Sequence, residues 1–472
     1  MKNLTLKNIA GAIGAPLNNA EGKENTEITC AVVDSRKIEP GGLFFAANGE
    51  KVDGHKFIDQ VLEKGAALII CTKTPDEVEK EHGIPAGDWG PYIVVEDSYD
   101  ALKKVAAFYR DQLEIPIVGI TGSVGKTSTK EFIATVLSEK YNVLKTEGNF
   151  NNEIGLPITL LRIRGEHEAA VVEMGISDFG EMSRLGAMAK PDICVITNIG
   201  QCHLENLHDR QGVRKAKTEI FDYLKNGGTV CLNRDDDLLA EIKEVNGKPV
   251  YFFGLSDVTE VVNNGLLGSE AILHMGDESF PITIHLPGIH MVKNACAAAL
   301  VGQILGLDKE QIRAGIENVK PVGGRSNLIS TGDKLIIDDC YNANPVSMKA
   351  AIDLLKNAEG RTVALLGDMF ELGEDSDTLH ASVGSYAVQK KVDVICFAGE
   401  NAKNMYDGAK TEWEKSMAEG KITRNERLQL LYFEDRESLV CHLDEILKPG
   451  DTILVKASHG MGFSKVVEKL CS

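Results

Sequence analysis

From Ile115 onward the chain repeats one pattern of apolar and polar positions. A short continuous apolar run is followed by a loop, then by a stretch with apolar residues at helical spacing. The runs are IPIVGIT, EAAVVEMG, PDICVITNIG and TVCLN. Buried strands alternating with amphipathic stretches predict βαβ units on a mostly parallel sheet. The segment VKPVGGRSN (319–327), with Pro321, Gly323 and Gly324, reads as a linker. After it a second series begins: KLIIDD, TVALLGD, VDVICFAG, LQLLYFE and DTILVKAS. Before residue 112 the pattern holds short strands and one clear helix, GHKFIDQVLEKGA, followed by ALIIC. The chain therefore reads as α/β in three domains, 1–112, 113–322 and 323–472.

Length agrees: 472 residues suit about three domains of roughly 150 residues. The formal charge of −19 argues against nucleic-acid or anionic-membrane binding, which draw on a basic surface. The ten cysteines form no CxxC pair, and Cys194 and Cys396 lie inside apolar runs. They read as reduced thiols of a cytoplasmic protein, not as a disulfide or zinc framework. No apolar run is long enough to span a bilayer, so no membrane insertion is expected. Ile9 to Leu17, behind Lys2 and Lys7, has the outline of a signal-peptide core. Its glycines and Pro16 make it a short helix and loop instead.

The clearest chemistry lies in IVGITGSVGKTST (117–129). A strand runs into Gly122, Ser123, Val124, Gly125, Lys126, Thr127 and Ser128, and a helix follows. The strict phosphate-loop template asks for glycine where Ile120 stands. The physical parts are nonetheless in order. Glycines let consecutive N–H groups face a phosphate at a helix N-terminus, Lys126 can reach the outer phosphates, and the Thr127 hydroxyl can hold Mg²⁺.

Two further strands of the central block end in candidate metal ligands, Glu173 and, just beyond PDICVITNIG, His203. In open α/β sheets such ends gather at one crevice. In a helix expected over 213–224, Val213, Ala216, Ile220, Phe221 and Leu224 form one stripe. Lys217 falls inside it, about 40° from Val213 at about 100° per residue. Either its ammonium snorkels to water, or it faces a polar cavity. In that setting a lysine that has lost its proton can take up CO₂ as a carbamate.

TGSVGKTSTKE, TNIGQCHLE and AKTEIF together resemble the Mur ligase family, and the resemblance covers nearly the whole chain. It implies a small α/β uridine-binding domain, a central P-loop mononucleotide-binding domain and a C-terminal Rossmann-like domain. It also implies catalytic roles for Lys126, Glu173, His203 and Lys217, and two Mg²⁺ ions. One ion would sit near Thr127 and Glu173, the other near His203 and a carbamylated Lys217 (N6-carboxylysine).

Further segments extend the likeness. VDSRKIEPGGLFFAANGEKVDGHKFI would place Ser35 and Arg36 at the UDP end of the substrate. NFNNEIGLPITLL would supply Asn151 and Asn152 as sugar-peptide contacts. In LPGIHMVKNACAAA, Asn294 would meet adenine, although Met291 replaces the family's usual asparagine. Arg325 and Asp339 match positions that contact ATP from the third domain, with Cys340 in place of the usual serine. Asn342, Asn344 and His380 belong to the signatures DDCYNANP and LLGDMFELGEDSDTLH, without an assigned role. The segment LVKASHGMGFSKVV departs most, at Ala457, His459, Phe463 and Ser464. Lys456, Ser458 and His459 are expected to face the crevice and the amine substrate.

The activity implied is ATP-dependent joining of D-alanyl-D-alanine to UDP-MurNAc-tripeptide through an acyl phosphate. That is the last cytoplasmic step toward the UDP-MurNAc-pentapeptide precursor of peptidoglycan, with a monomeric enzyme expected. Three alternatives stand beside it: a non-catalytic UDP-sugar-binding paralogue, another Mur or folylpolyglutamate-type amide ligase, and a regulatory P-loop NTPase. The last would need a guanine-reading NKxD element, which the sequence lacks.

Overall fold

Four short parallel strands form the first sheet: β1 (Ala31–Val32), β2 (Leu43–Phe45), β3 (Leu68–Cys71) and β4 (Tyr92–Val94), side by side in chain order. The computed structural model describes residues 1–49, 52–225, 227–420 and 428–471. The period of two along each strand sorts the side chains between two faces. Phe44, Ile69 and Cys71 pack with Ile58, Val61 and Val78, from the helices Ile58–Glu63 and Pro75–His82. Leu43, Phe45, Leu68 and Ile70 face the helix Ser98–Asp111 on the other side. The predicted single helix of this region is therefore one of several. Leu6–Ile13 is the short helix expected near the start, closed by Gly14.

Helix Ser98–Asp111 is capped by Asp97, whose carboxylate accepts from the Tyr99 N–H at 2.7 Å. Its apolar stripe of Ala101, Leu102, Val105, Ala106 and Tyr109 serves two domains at once. The same continuous core takes in Leu156 and Leu160 from the helix Gly155–Leu160, and Leu185 and Met188 from the helix Glu181–Ala189. Arg110 is buried across this seam, donating to the Ala189 carbonyl at 2.7 Å and to Asp192 at 2.8 Å.

The central sheet has six parallel strands in the order β12-β9-β8-β5-β7-β6. They are β5 (Ile117–Thr121), β6 (Val143–Lys145), β7 (Ala169–Glu173), β8 (Ile193–Ile196), β9 (Thr229–Asn233) and β12 (Tyr251–Phe253). A two-stranded hairpin, β10 (Glu244–Val245) and β11 (Lys248–Pro249), precedes β12. Then comes an element outside the βα pattern, the antiparallel meander β13 (Val258–Asn263), β14 (Ser269–Met275) and β15 (Glu278–Ile284). Its inner residues Val258, Ala271, Leu273, Phe280 and Ile282 cover the helices Lys126–Ser138 and Ile289–Ile304.

The third sheet runs β16-β17-β21-β18-β19-β20. Its strands are β16 (Asn327–Ser330), β17 (Leu335–Asp338), β18 (Thr362–Gly367), β19 (Val394–Ala398), β20 (Gln429–Phe433) and β21 (Thr452–Lys456). Only the edge strand β16 is antiparallel, and it begins at Asn327, inside the predicted linker. β21 lies between β17 and β18, so Asp339 and Lys456 leave adjacent strands at the same end.

Candidate active site

The turn after β5 is built on two glycines. At Gly122, with φ +145°, an added Cβ would lie 1.9 Å from the Thr197 hydroxyl, so no side chain fits. Gly125, with φ +85°, opens the helix Lys126–Ser138, and no side chain caps that N-terminus. Its first N–H groups are left for an anion. The loop is clamped to the segment after β8. Val124 donates from its N–H to the Asn198 side chain at 3.0 Å, and its carbonyl accepts from the Thr197 hydroxyl and the Asn198 amide at 2.6 and 2.9 Å. Lys126 folds over the loop and donates to the Gly122 carbonyl at 2.8 Å. Burial lowers its pKa.

Thr127 and Glu173 meet directly, as the parallel order of β5 and β7 requires. The hydroxyl donates to Glu173 Oε2 at 3.0 Å, and Asn151 donates to the other carboxylate oxygen at 2.8 Å. Arg325 reaches the same point from the third domain, its Nη2 donating to the Thr127 hydroxyl oxygen at 3.1 Å. Around them opens a cavity of about 1470 Å³, walled by the central and third domains. Ser123, Val124, Gly125, Lys126, Thr127, Ser128, Asn151, Asn152, Glu173 and His203 line it from the central domain, with Asn294 at a further wall. Arg325, Asp339 and Lys456 line it from the other side.

Asn152 also accepts from Gly155 N–H at 2.9 Å, at the start of the helix Gly155–Leu160. Asn294 is fixed in the helix Ile289–Ile304: its oxygen accepts from the Thr129 hydroxyl at 3.0 Å and its amide faces Met291 Sδ at 3.6 Å. Lys456 is held by Asp339 at 2.6 Å and by the Asn342 carbonyl at 2.9 Å, while the other Asp339 oxygen accepts from Ser326 N–H at 2.9 Å.

Lys217 does not snorkel. It is fully buried, and its Nζ has no hydrogen-bond partner among the described residues. Burial first, and the Lys126 charge to a smaller extent, push its pKa down to about 8, against opposing contributions from Cys202 and Glu181. The helix that carries it differs from the expected 213–224. It runs Arg210–Thr218, capped by Asp209, and tightens to a 3₁₀ turn over Glu219–Tyr223. There Thr218 bonds back to the Arg214 carbonyl at 2.9 Å, and Glu219 turns away to cap Gly180 and Ser183. The paired oxygens of Thr127 and Glu173 suit a hard cation such as Mg²⁺, and His203 lines the same cavity; Lys217, buried behind that lining, would offer an oxygen ligand only as a carbamate.

Four expected substrate contacts lie outside this cavity. Ser458 is buried away from the cavity, its hydroxyl accepting from Phe370 N–H at 2.9 Å. β21 delivers Lys456 to the crevice, and the chain then turns, leaving His459 exposed and packed on the Tyr341 ring with centroids 5.5 Å apart. Ser35 and Arg36 are in the first domain, outside the cavity. Ser35 is buried with its carbonyl on Lys64, and Arg36 is exposed and paired with Asp34 at 2.8 Å. His380 and Asn344 hold structure: His380 Nε2 accepts from Met369 N–H at 3.0 Å, and Asn344 caps the helix Pro345–Leu355. Asn198 is a further site residue, standing five residues before His203 in TNIGQCHLE. Tyr341, whose ring lies under Arg325, is another.

A glycine loop opening a helix on the middle sheet, with Arg325 of a third domain bonded to Thr127 of that loop, fits an ATP-dependent ligase. Residues 27–110 match the model of the Mur ligase family catalytic domain, 120–302 the Mur ligase middle domain and 324–459 the Mur ligase glutamate ligase domain. The chain belongs to the Mur ligase family. It is 35% identical over 471 residues to the UDP-N-acetylmuramoyl-tripeptide–D-alanyl-D-alanine ligase of Bacillus subtilis, covering 99% of this chain and 98% of that one. Against the enzyme of that name from Escherichia coli it is 32% identical, covering 100% and 99%. Among solved structures, MurF from Acinetobacter baumannii superposes with TM-score 0.84 at 30% identity, over 99% and 98% of the two chains. MurF ligase from Thermotoga maritima in complex with ADP gives 0.76 at 28%, over 93% and 96%.

Proposed function

We propose that this chain joins D-alanyl-D-alanine to UDP-MurNAc-tripeptide at the expense of ATP, in the cytoplasm and as a monomer. The observation that carries the reading is the meeting of Arg325 with Thr127 and Glu173 across two domains. In this reading residues 1–112 hold the UDP-sugar, with Ser35 and Arg36 at its UDP end, 113–322 hold ATP, and 323–472 bring the amine.

The tripeptide's terminal carboxylate attacks the γ-phosphorus of ATP, and ADP leaves. The acyl phosphate that results is attacked by the dipeptide amine; inorganic phosphate leaves and the amine gives up a proton. Lys126 and Arg325 neutralise charge on the transferring phosphoryl group. Asn151 orients Glu173, and Asn294 holds the base. Asp339 keeps Lys456 directed at the cleft. Thr127 and Glu173, and His203 with Lys217 if it is carbamylated, would hold Mg²⁺, which would supply positive charge against the repulsion between two anionic reactants. Closure of the second and third domains over the cavity would keep water from the acyl phosphate.

The test is mass spectrometry of products, with ADP release measured in parallel, from ATP, UDP-MurNAc-tripeptides and a panel of amines. A pentapeptide product formed only with D-alanyl-D-alanine, with ADP release in step, is expected. ADP release that ignores the acceptor, or a product with single amino acids only, overturns the reading.

A further inference from the structure

One contact across the seam between the second and third domains has no part in the chemistry above. Oε2 of Glu371, from the loop after β18, lies 2.5 Å from Nδ1 of His203. Nδ1 has no hydrogen bond of good geometry among the described residues, and the carboxylate is the polar group that faces it. The backbones are joined as well: Leu204 N–H donates to the Glu371 carbonyl at 3.1 Å. Both residues are held in the left-handed region, His203 at φ +51° and Glu371 at φ +62°. Nearby, Leu379 of the third domain joins the apolar core of the first two.

Two non-glycine residues in that region are a cost that folds retain where geometry matters. The Glu371 side chain is 54% exposed and that of His203 22%. An ion pair so accessible to water adds little to stability, so stability does not account for the arrangement. Imidazole chemistry does. A carboxylate this close to Nδ1 favours the proton there and so leaves Nε2 as the lone-pair nitrogen, free to bind a cation. The geometry points to Glu371 as a positioning residue: a carboxylate of the third domain that sets the tautomer of a metal-binding histidine in the second. Metal affinity is thereby made to depend on how the third domain is seated. The inference rests on the reading of His203 as a Mg²⁺ ligand.

The test uses Mn²⁺ as a paramagnetic probe, titrated into the full chain with a non-hydrolysable ATP analogue and followed by electron paramagnetic resonance. His203→Ala defines the affinity that depends on the imidazole. Glu371→Ala should weaken that affinity about tenfold, within the range for removing such a partner. Glu371→Gln keeps an oxygen able to accept from Nδ1 and should recover most of it. Neither variant removes the backbone bond to Leu204, and neither changes the φ demand at 371, since both retain Cβ; melting curves should match wild type. Unchanged Mn²⁺ affinity in Glu371→Ala, or a loss in Glu371→Gln as large as in Glu371→Ala, overturns the positioning role while leaving His203 a ligand. Unchanged affinity in His203→Ala overturns both.

Discussion

The guanidinium of Arg325 lies 3.9 Å above the ring of Tyr341, whose ring also packs against His459. Arg325 is thus steered from below while its Nη2 reaches Thr127. A cation over an aromatic face is worth about 0.5–2 kcal/mol. Tyr341→Leu should therefore lower kcat/KM for ATP by about 2- to 30-fold, whereas Tyr341→Phe, which keeps the ring, should stay close to wild type. Steady-state kinetics decide it, and equal rates in the Leu and Phe variants would remove the ring from the argument. His459, exposed and not among the residues lining the cavity, should tolerate alanine with less than about a threefold change. Its replacement should leave the Michaelis constant for the amine unchanged.

Lys126 makes its one close bond to its own loop, at the Gly122 carbonyl. Removing it leaves no apolar void, so Lys126→Ala should melt close to wild type. In the proposed reaction it would meet a charge that develops on phosphate, and losing one such contact costs about 10²–10³ in kcat. Single-turnover ADP formation provides the measurement. Retention of more than about a tenth of the wild-type rate would mean that Lys126 does not touch the transferring group.

Much of this site was legible in the sequence because strand ends in a parallel sheet converge. Knowing only that Thr127 follows one apolar run and that Glu173 ends another was enough to bring them together. Lys217 was flagged by the angle it makes within its helix. Periodicity could not say whether a long side chain bends outward, and the buried, partnerless amine is a property of packing. His459 was misplaced for a related reason. A strand fixes where residues point only while it lasts, and β21 ends at Lys456. The meander over 258–284 alternates inward and outward positions as a half-exposed antiparallel sheet does. It escaped a reading tuned to continuous apolar runs. The contact of Glu371 with His203 joins residues from different domains, and no local pattern encodes it.

Away from the cleft, Asp53 is the centre of a charge cluster in the first domain. Its oxygens accept from the His55 N–H at 3.0 Å and Nδ1 at 2.6 Å, from His82 Nε2 at 3.1 Å and from Lys73 at 3.3 Å. Lys73 occupies the space among Asp53, Glu81 and His82, so the three read as an ion-pair network and not as a metal site. Burial alone would raise the Asp53 pKa, but the His55 and Lys73 bonds outweigh it and hold the carboxyl far below its ordinary 3.8. A folded-state pKa below the unfolded one means that the unfolded chain binds the proton first. The stabilisation is therefore complete well above pH 3.8 and is lost as pH falls below that value toward the folded pKa. Urea unfolding should show a steeper acid loss in wild type than in Asp53→Asn, which is already destabilised at pH 7. Parallel stability curves between pH 6 and 3 would contradict this.

Lys217 offers the sharpest chemical test. Amine carbamylation needs the neutral base, and CO₂ adds to it with loss of a proton. An ordinary lysine near 10.5 is neutral at pH 7.5 in only about one molecule in a thousand. Burial has brought this one to about 8, so about a quarter is neutral, a gain of more than two orders of magnitude in reactive amine. The product is an anion, and with no hydrogen-bond partner for this Nζ among the described residues it needs cations beside it. Lys126 lies close enough to depress the Lys217 pKa, and Mg²⁺ on His203 would supply the rest. Protein labelled with ¹³C-bicarbonate should therefore show a carbamate resonance that Lys217→Arg lacks. Exhaustive CO₂ removal should lower activity, and bicarbonate should restore it. Lys217→Ala should lose activity by at least the 10²-fold expected of a charge contact in the site, then regain part of it with added short-chain carboxylates, which fit the vacated space. A Lys217→Ala enzyme that carboxylates do not rescue, together with a wild type indifferent to CO₂, would leave the lysine as a buried neutral amine with no role in catalysis.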